Sequence, residues 1–196
     1  MRNPIRLKNL DLRFMPLYAI GLVILVLFPP KPSGFLWAGP PFALGLALRG
    51  WGAGHLVKNE ALTMTGPYAH LRHPLYAGTM LLAVGFGVLL GIGPGLLMVC
   101  LICVWLAFCY FPRKERVEGD RLEALYGQQY LAYRQAVPAL WPRWVEWKPS
   151  LGEAPEKRSK SVWSVERYSD NNELGTLIAV LGGLLVFWLR ARWVTG

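Results

Sequence analysis

Four stretches of the chain carry no Lys, Arg, Asp or Glu: residues 14–30, 32–48, 74–112 and 174–189. A membrane-spanning helix needs about 17–25 predominantly apolar residues. Residues 14–30 and 174–189 each predict one span, and 32–48 predicts another that Pro40 and Pro41 interrupt. The third stretch is long enough for two spans, and Gly91-Ile92-Gly93-Pro94-Gly95 breaks it into a helical hairpin. Glycine clusters inside the spans, such as Gly85-Phe86-Gly87, follow no strand. They therefore read as close helix packing and not as a dinucleotide loop.

After Phe111-Pro112 the pattern changes. Glu118, Leu122, Tyr126, Tyr130, Tyr133 and Val137 recur at spacings of three and four. They fall within an arc of roughly 120°, one face of an amphipathic helix. Gly127 sits inside this helix and is a candidate break. Pro138 and Pro142 end it, and residues 146–173 read as a polar surface segment leading into the last span. The expected fold is an all-α membrane protein of about five transmembrane helices, with a cytoplasmic amphipathic segment between spans four and five.

Composition agrees with this reading. Hydrophobic residues make up 54% and charged residues 17% of the chain, too little polar surface to cover a soluble globule. Arg2, Arg6, Lys8 and Arg13 precede the first span without a small-residue cleavage site, which reads as an anchor and not a removed signal peptide. By the positive-inside rule the N-terminus, the 49–73 loop and residues 113–173 lie in the cytoplasm. The turns near 31–34 and 91–95 then lie outside, and so does the C-terminus, against the bias of Arg190 and Arg192. The net charge of +9 suits anionic lipid headgroups. The scattered basic residues form no nucleic-acid reader. Cys100, Cys103 and Cys109 lie in an apolar helix and read as small packing residues.

The chemistry concentrates where a polar loop enters the third span. Residues 66–78 read Gly-Pro-Tyr-Ala-His-Leu-Arg-His-Pro-Leu-Tyr-Ala-Gly. Gly66-Pro67 predicts a turn, and Pro74 suits the first turn of a helix, where its missing N–H costs nothing. Arg72 can grip a carboxylate or phosphate. Tyr68 and Tyr76 offer flat faces for a purine or a cation. His73 can donate, accept or stack, and Gly78 allows close approach of something bulky. Each residue alone also suits an ordinary interfacial belt; the density of the cluster favours a polar cofactor site. The hairpin returns a second group, Arg113, Lys114 and Glu118, to the same membrane face. A plain i,i+4 ion pair between Lys114 and Glu118 is the simpler account of that group.

Together these segments resemble a known family. The pattern Gly66-Pro67-Tyr68, Arg72-His73-Pro74, Tyr76, Gly78 is followed by Glu118, Leu122, Tyr126-Gly127, Tyr130, Tyr133 and Val137-Pro138. It is similar to the isoprenylcysteine carboxyl methyltransferase family and its phospholipid methyltransferase relatives. Leu62 also matches, and Trp163, Arg167-Tyr168 and Asn172-Glu173 resemble bacterial members. The resemblance implies a multi-pass enzyme of a bacterial inner membrane that uses S-adenosylmethionine at its cytoplasmic face. Tyr68, His73, Pro74 and Tyr76, with the backbone around His70-Leu71, would line the cofactor site, and Glu118 matches the first Glu of a family pair. Gly119 stands where a second Glu is usual, Lys114 where an Arg is usual, and Glu60 where a His is frequent. These departures bear on the acceptor more than on the donor.

The chain then reads as one domain over 1–196. Residues 1–48 give two spans, 49–145 the cofactor loop, hairpin and catalytic segment, and 146–196 a linker and the last span. The acceptor is a lipid-phase small molecule or lipidated group. For a carboxylate acceptor, Lys114 or Arg113 would position it; for an amine or hydroxyl, Glu118 would serve as general base. The first reading is O-methylation of a carboxylate, with phospholipid amine N-methylation as the alternative. A sterol-type NADPH reductase and a non-catalytic scaffold are further rivals. Only His55, His70 and His73 exist, too few for a His-box metal oxygenase, and the expectation is no metal and no nucleic acid.

Overall fold

The computed structural model describes residues 15–57, 61–148 and 162–195. Among these there is no β-strand. The order is α1 (Met15–Leu27), α2 (Gly34–His55), a 3₁₀ turn (Gly66–Ala69), α3 (Pro74–Leu90) and α4 (Ile92–Trp105). A π-helical turn (Leu106–Tyr110), α5 (Phe111–Ala136), α6 (Val165–Asp170) and α7 (Glu173–Thr195) follow. The hairpin break falls as expected: α3 ends at Leu90, Gly91 takes a φ of 85°, and α4 begins at Ile92.

Two helices are long and apolar enough to cross a membrane by length and composition, within Ile92–Ala136 and Glu173–Val194. Helix α3 is a shorter apolar helix, and α1 is described over 13 residues. That measure therefore meets two of the five expected spans. Leu36, Trp37, Ile92, Leu96 and Phe108 point outward, the arrangement of helices whose solvent is hydrocarbon.

Pro40 and Pro41 do not interrupt α2, which runs through both. Helix-breaking prolines are tolerated where neighbouring helices hold the freed backbone, and α2 packs along α3. That packing is close. A Cβ on Gly45 would lie 2.9 Å from the Gly78 carbonyl oxygen, and one on Gly78 would lie 2.9 Å from the Gly45 oxygen and collide with the Arg49 side chain. In lipid, where no hydrophobic force drives helices together, such backbone contact carries the association. Phe42 of α2 fills the space over Gly85 in the same way. Ala38, Phe42, Leu82, Leu89 and Val180 form the shared core of α2, α3 and α7, and Ile24, Leu25, Leu90 and Met98 tie in α1 and α4.

Arg49 fastens three helices. Its Nε donates to Glu173 Oε2 at 3.0 Å and its Nη2 to Glu173 Oε1 at 2.5 Å and Thr176 Oγ1 at 3.1 Å, while Nη1 donates to the Leu75 carbonyl and to Thr79 Oγ1. All five guanidinium N–H groups are used.

The segment before α7 is more than a polar surface linker. Residues 149–161 of it lie outside the described residues. Trp163 Nε1 donates to the Gly50 carbonyl, the Ser164 N–H to Gly54, and Asn171 Nδ2 to Ala53 and Leu56. The last carbonyls of any helix lack partners within it. Here a segment more than 100 residues downstream supplies them for α2.

Candidate active site

Gly66 opens the loop with a φ of +60°, a conformation that favours glycine, and a Cβ there would lie 2.6 Å from the His55 ring. Pro67 and Pro74 are fully buried at the two ends of the motif. Between them the backbone is paired to the segment after α5. The Arg72 N–H donates to the Pro138 carbonyl at 2.8 Å and the His73 N–H to Ala139 at 3.0 Å, while the Arg143 N–H returns to His70 and Trp147 N–H to Ala69. His70 Nδ1 donates to the Arg143 carbonyl at 3.0 Å.

The amphipathic stripe explains why that segment is held there. Tyr130, Tyr133 and Val137 are buried with Leu62 and Met64, and Leu122, Tyr126 and Trp147 pack against them. Gly127, at φ 51° and ψ −128°, breaks α5 as its position suggested, dividing it into two arms. Tyr133 Oη donates to the Tyr68 carbonyl at 2.8 Å, joining stripe to motif.

The charged centre is Glu115. Its Oε1 accepts a short hydrogen bond from Arg72 Nη1, and its Oε2 accepts one from His73 Nε2 at 2.8 Å. Arg134 approaches Oε1 at 3.7 Å. Arg72 is further tied by its Nε to the Val137 carbonyl at 3.0 Å. The bond from His73, with the bond and charge of Arg72, outweighs burial and holds the Glu115 carboxyl down from its ordinary 4.5 to about 2. Arg72 therefore does grip a carboxylate, and the carboxylate belongs to this chain. The 66–78 loop and the start of α5 meet at this point, through a residue outside the expected set.

Glu118 and Lys114 form the simple i,i+4 pair, 3.4 Å apart and each 42% exposed. Glu118 still bears on the loop: burial, then Tyr133, then the Glu118 charge push the Tyr68 phenol upward. Arg113 is exposed beside them. Of the expected cofactor residues, Tyr68, Leu71, Pro74 and Gly78 are buried inside the protein, and His70, Arg72, His73 and Tyr76 keep partial access. The space that Gly78 leaves is occupied by α2.

The π-helical turn adds one residue to the helical register between α4 and α5, a device frequent at functional sites. It brings Tyr110 and Phe111 over the motif: Tyr110 Oη lies 3.3 Å from Tyr76 Oη, and the Phe111 ring meets the His73 ring edge-on at 5.2 Å. Beside them is a mostly apolar cavity of about 180 Å³, bounded by Tyr76, Met80, Cys103, Leu106, Tyr110 and Leu140. A titratable cluster on the polar side and an apolar recess on the other meet at Tyr76.

Sequence reasoning missed Glu115 and Arg49. Glu115 lies four residues before buried Gly119 and seven before Leu122, so extending the stripe one turn upstream would have reached it. Arg49 was signalled by its place at the end of an apolar stretch, where a charge needs a partner.

The comparisons bear on the same segments. The phospholipid methyltransferase family profile matches residues 43–129, from the middle of α2 to just past Gly127. The chain is also similar to a protein-S-isoprenylcysteine O-methyltransferase of Schizosaccharomyces pombe, 30% identical over 134 residues, which are 65% of this chain and 54% of that protein. It thus spans about half the length of that curated relative. No solved structure matches. The 66–78 loop and Glu115 both lie inside the segment over which the chain is similar to the phospholipid methyltransferase family profile.

Proposed function

We propose that this chain is an integral membrane methyltransferase that uses S-adenosylmethionine and modifies a lipid-phase acceptor at the cytoplasmic end of a five-span bundle. The observation that carries the reading is the junction at Glu115, which joins the 66–78 loop to the helix after α4 beside an apolar cavity. The residues suit such a donor. The aromatic faces of Tyr76, Tyr110 and Phe111 and the acidic Glu118 favour a sulfonium or an ammonium, and Arg113 and Arg116 are cations within reach of the same end of α5 for a carboxylate. When bound, S-adenosylmethionine supplies an electrophilic methyl group.

The protein's part is alignment. In-line displacement needs reactants held in one geometry and water kept away. The Glu115 junction fixes Arg72 and His73, and the cavity takes an apolar portion of the acceptor. For a carboxylate acceptor, as in the isoprenylcysteine relative, Lys114 or Arg113 orients an oxygen that is already nucleophilic. For a phospholipid amine, the reading favoured by the matching family profile, Glu118 removes the proton.

Binding of radiolabelled S-adenosylmethionine against NADPH, on protein in lipid nanodiscs, tests the donor. NADPH binding reassigns the chain to a reductase, and binding of neither reassigns it to a scaffold. Mass spectrometry of lipid extracts from cells making wild type or His73→Ala then identifies the acceptor by the methyl group that the variant fails to add.

A further inference from the structure

Glu115 does more than hold two elements together: it settles which nitrogen of His73 carries the proton. An ionised carboxylate can only accept hydrogen bonds. With Oε2 facing His73 Nε2 at 2.8 Å, the proton on that bond sits on Nε2. The carboxylate is itself fixed, because Arg72 holds Oε1 and Arg134 lies behind it. The imidazole is also fixed, between Phe111 edge-on at 5.2 Å and Tyr76 at 5.5 Å. Its backbone N–H is tied to Ala139. The other ring nitrogen, Nδ1, has no hydrogen-bond partner among the described residues, yet it is not among their buried unsatisfied atoms, so it opens on accessible space.

His70, three residues earlier, has the opposite arrangement. Its Nδ1 faces the Arg143 carbonyl, an obligate acceptor, so its proton sits on Nδ1. Two histidines of one motif are thus held in opposite tautomers by different partners, and only His73 owes its state to a charged side chain.

We propose that Glu115 is a positioning residue that locks His73 with its proton on Nε2, so that Nδ1 faces the bound donor as a hydrogen-bond acceptor for an N–H or O–H group, such as an ammonium or a ribose hydroxyl. A carboxylate that orients an imidazole in this way is a recurring device for fixing a ring nitrogen's role. The inference rests on the donor reading above, but the tautomer is a property of the free protein and can be measured without donor.

The test has three parts. Nitrogen NMR of isotope-labelled histidine in detergent micelles at neutral pH, assigned with His73→Ala, reads the state of each ring. A His73 ring with its proton on Nε2 is expected; a proton on Nδ1 overturns the proposal whatever binds. Glu115→Gln should redistribute the His73 tautomers and weaken S-adenosylmethionine binding by about ten- to a hundredfold, the range for losing one charged hydrogen bond. Glu115→Asp should restore part of both.

Because Glu115→Gln removes support from Arg72 as well, His73 is also varied directly. His73→Asn places its amide near the Nδ1 position and His73→Gln near Nε2, so His73→Asn should retain the tighter donor binding. Equal loss in the two variants, or the reverse order, overturns the acceptor role of Nδ1. If wild type binds no S-adenosylmethionine while the NMR shows the expected tautomer, the donor reading fails and the Glu115–His73 lock stands.

Discussion

Two Arg–Glu pairs anchor this molecule, and they differ in how completely they are closed. Arg49 and Glu173 join helices 124 residues apart, every guanidinium N–H has an acceptor, and the Glu173 side chain is 3% exposed. Arg72 and Glu115 join elements 43 residues apart with side chains 13% and 15% exposed, and they share the carboxylate with His73 and Arg134. The first pair uses all its bonding capacity internally. The second leaves His73 Nδ1 without a partner among the described residues, and the neighbouring Tyr76, Tyr110 and Phe111 bound a cavity. A closed pair supports a fold; an open one can meet a ligand. Arg49 is thus the frame against which the loop is held, through Leu75 and Thr79 at the start of α3.

The largest expected effect comes from the closed pair. Arg49→Met leaves Glu173 buried without its partner, a change that costs about 3–5 kcal/mol in comparable settings. Thermal unfolding in nanodiscs should report it, and activity should fall only in step with the folded fraction. His73→Ala should cost less stability, because Arg72 still holds Glu115, while lowering turnover by about a hundredfold, the scale of a misplaced reactant. If both variants lose stability equally, the contrast between frame and site is wrong.

A smaller effect is expected with pH. The Glu115 carboxyl is lowered in the folded state to about 2 from 4.5. A lowered acid stabilises the fold fully above its unfolded value, and the contribution drains away as pH falls through the folded one. Melting temperature should therefore drop between about pH 4.5 and pH 2, and Glu115→Gln should drop less over that window. The smallest effect belongs to the exposed pair. Glu118→Gln should change stability by no more than about 0.5 kcal/mol. Its turnover separates the acceptors: full activity fits a carboxylate and removes Glu118 as a base, while a marked loss fits an amine or hydroxyl.

The contrast also explains what was legible in the chain. Apolar length and the Gly91–Gly95 break gave the hairpin, and three–four spacing gave the Tyr130–Tyr133–Val137 stripe with its Gly127 interruption. Those are local signals, set by helical period and by glycine. The 66–78 motif was legible because it is dense. The carboxylate at its centre was not, because Glu115 sits among Arg113, Lys114 and Arg116 and looks like one more solvated charge; its partners are 42 and 43 residues away. Glu118 fits the stripe's spacing equally well, so period alone does not single out Glu115. Pro40 and Pro41 misled for the related reason that their cost depends on a neighbour, α3, which the local sequence does not show.

The capping of α2 by residues 163–171 has a consequence in time. A ribosome delivers Arg49 and the motif long before it delivers Trp163, Asn171 and Glu173. Until Glu173 and Thr176 arrive, Arg49 has only its Nη1 partners on α3, Leu75 and Thr79, and the Nε and Nη2 donors wait for α7. A nascent chain halted before α7 therefore carries the whole motif and the 163–171 cap, but not the Glu173 carboxylate that completes the Arg49 fastening.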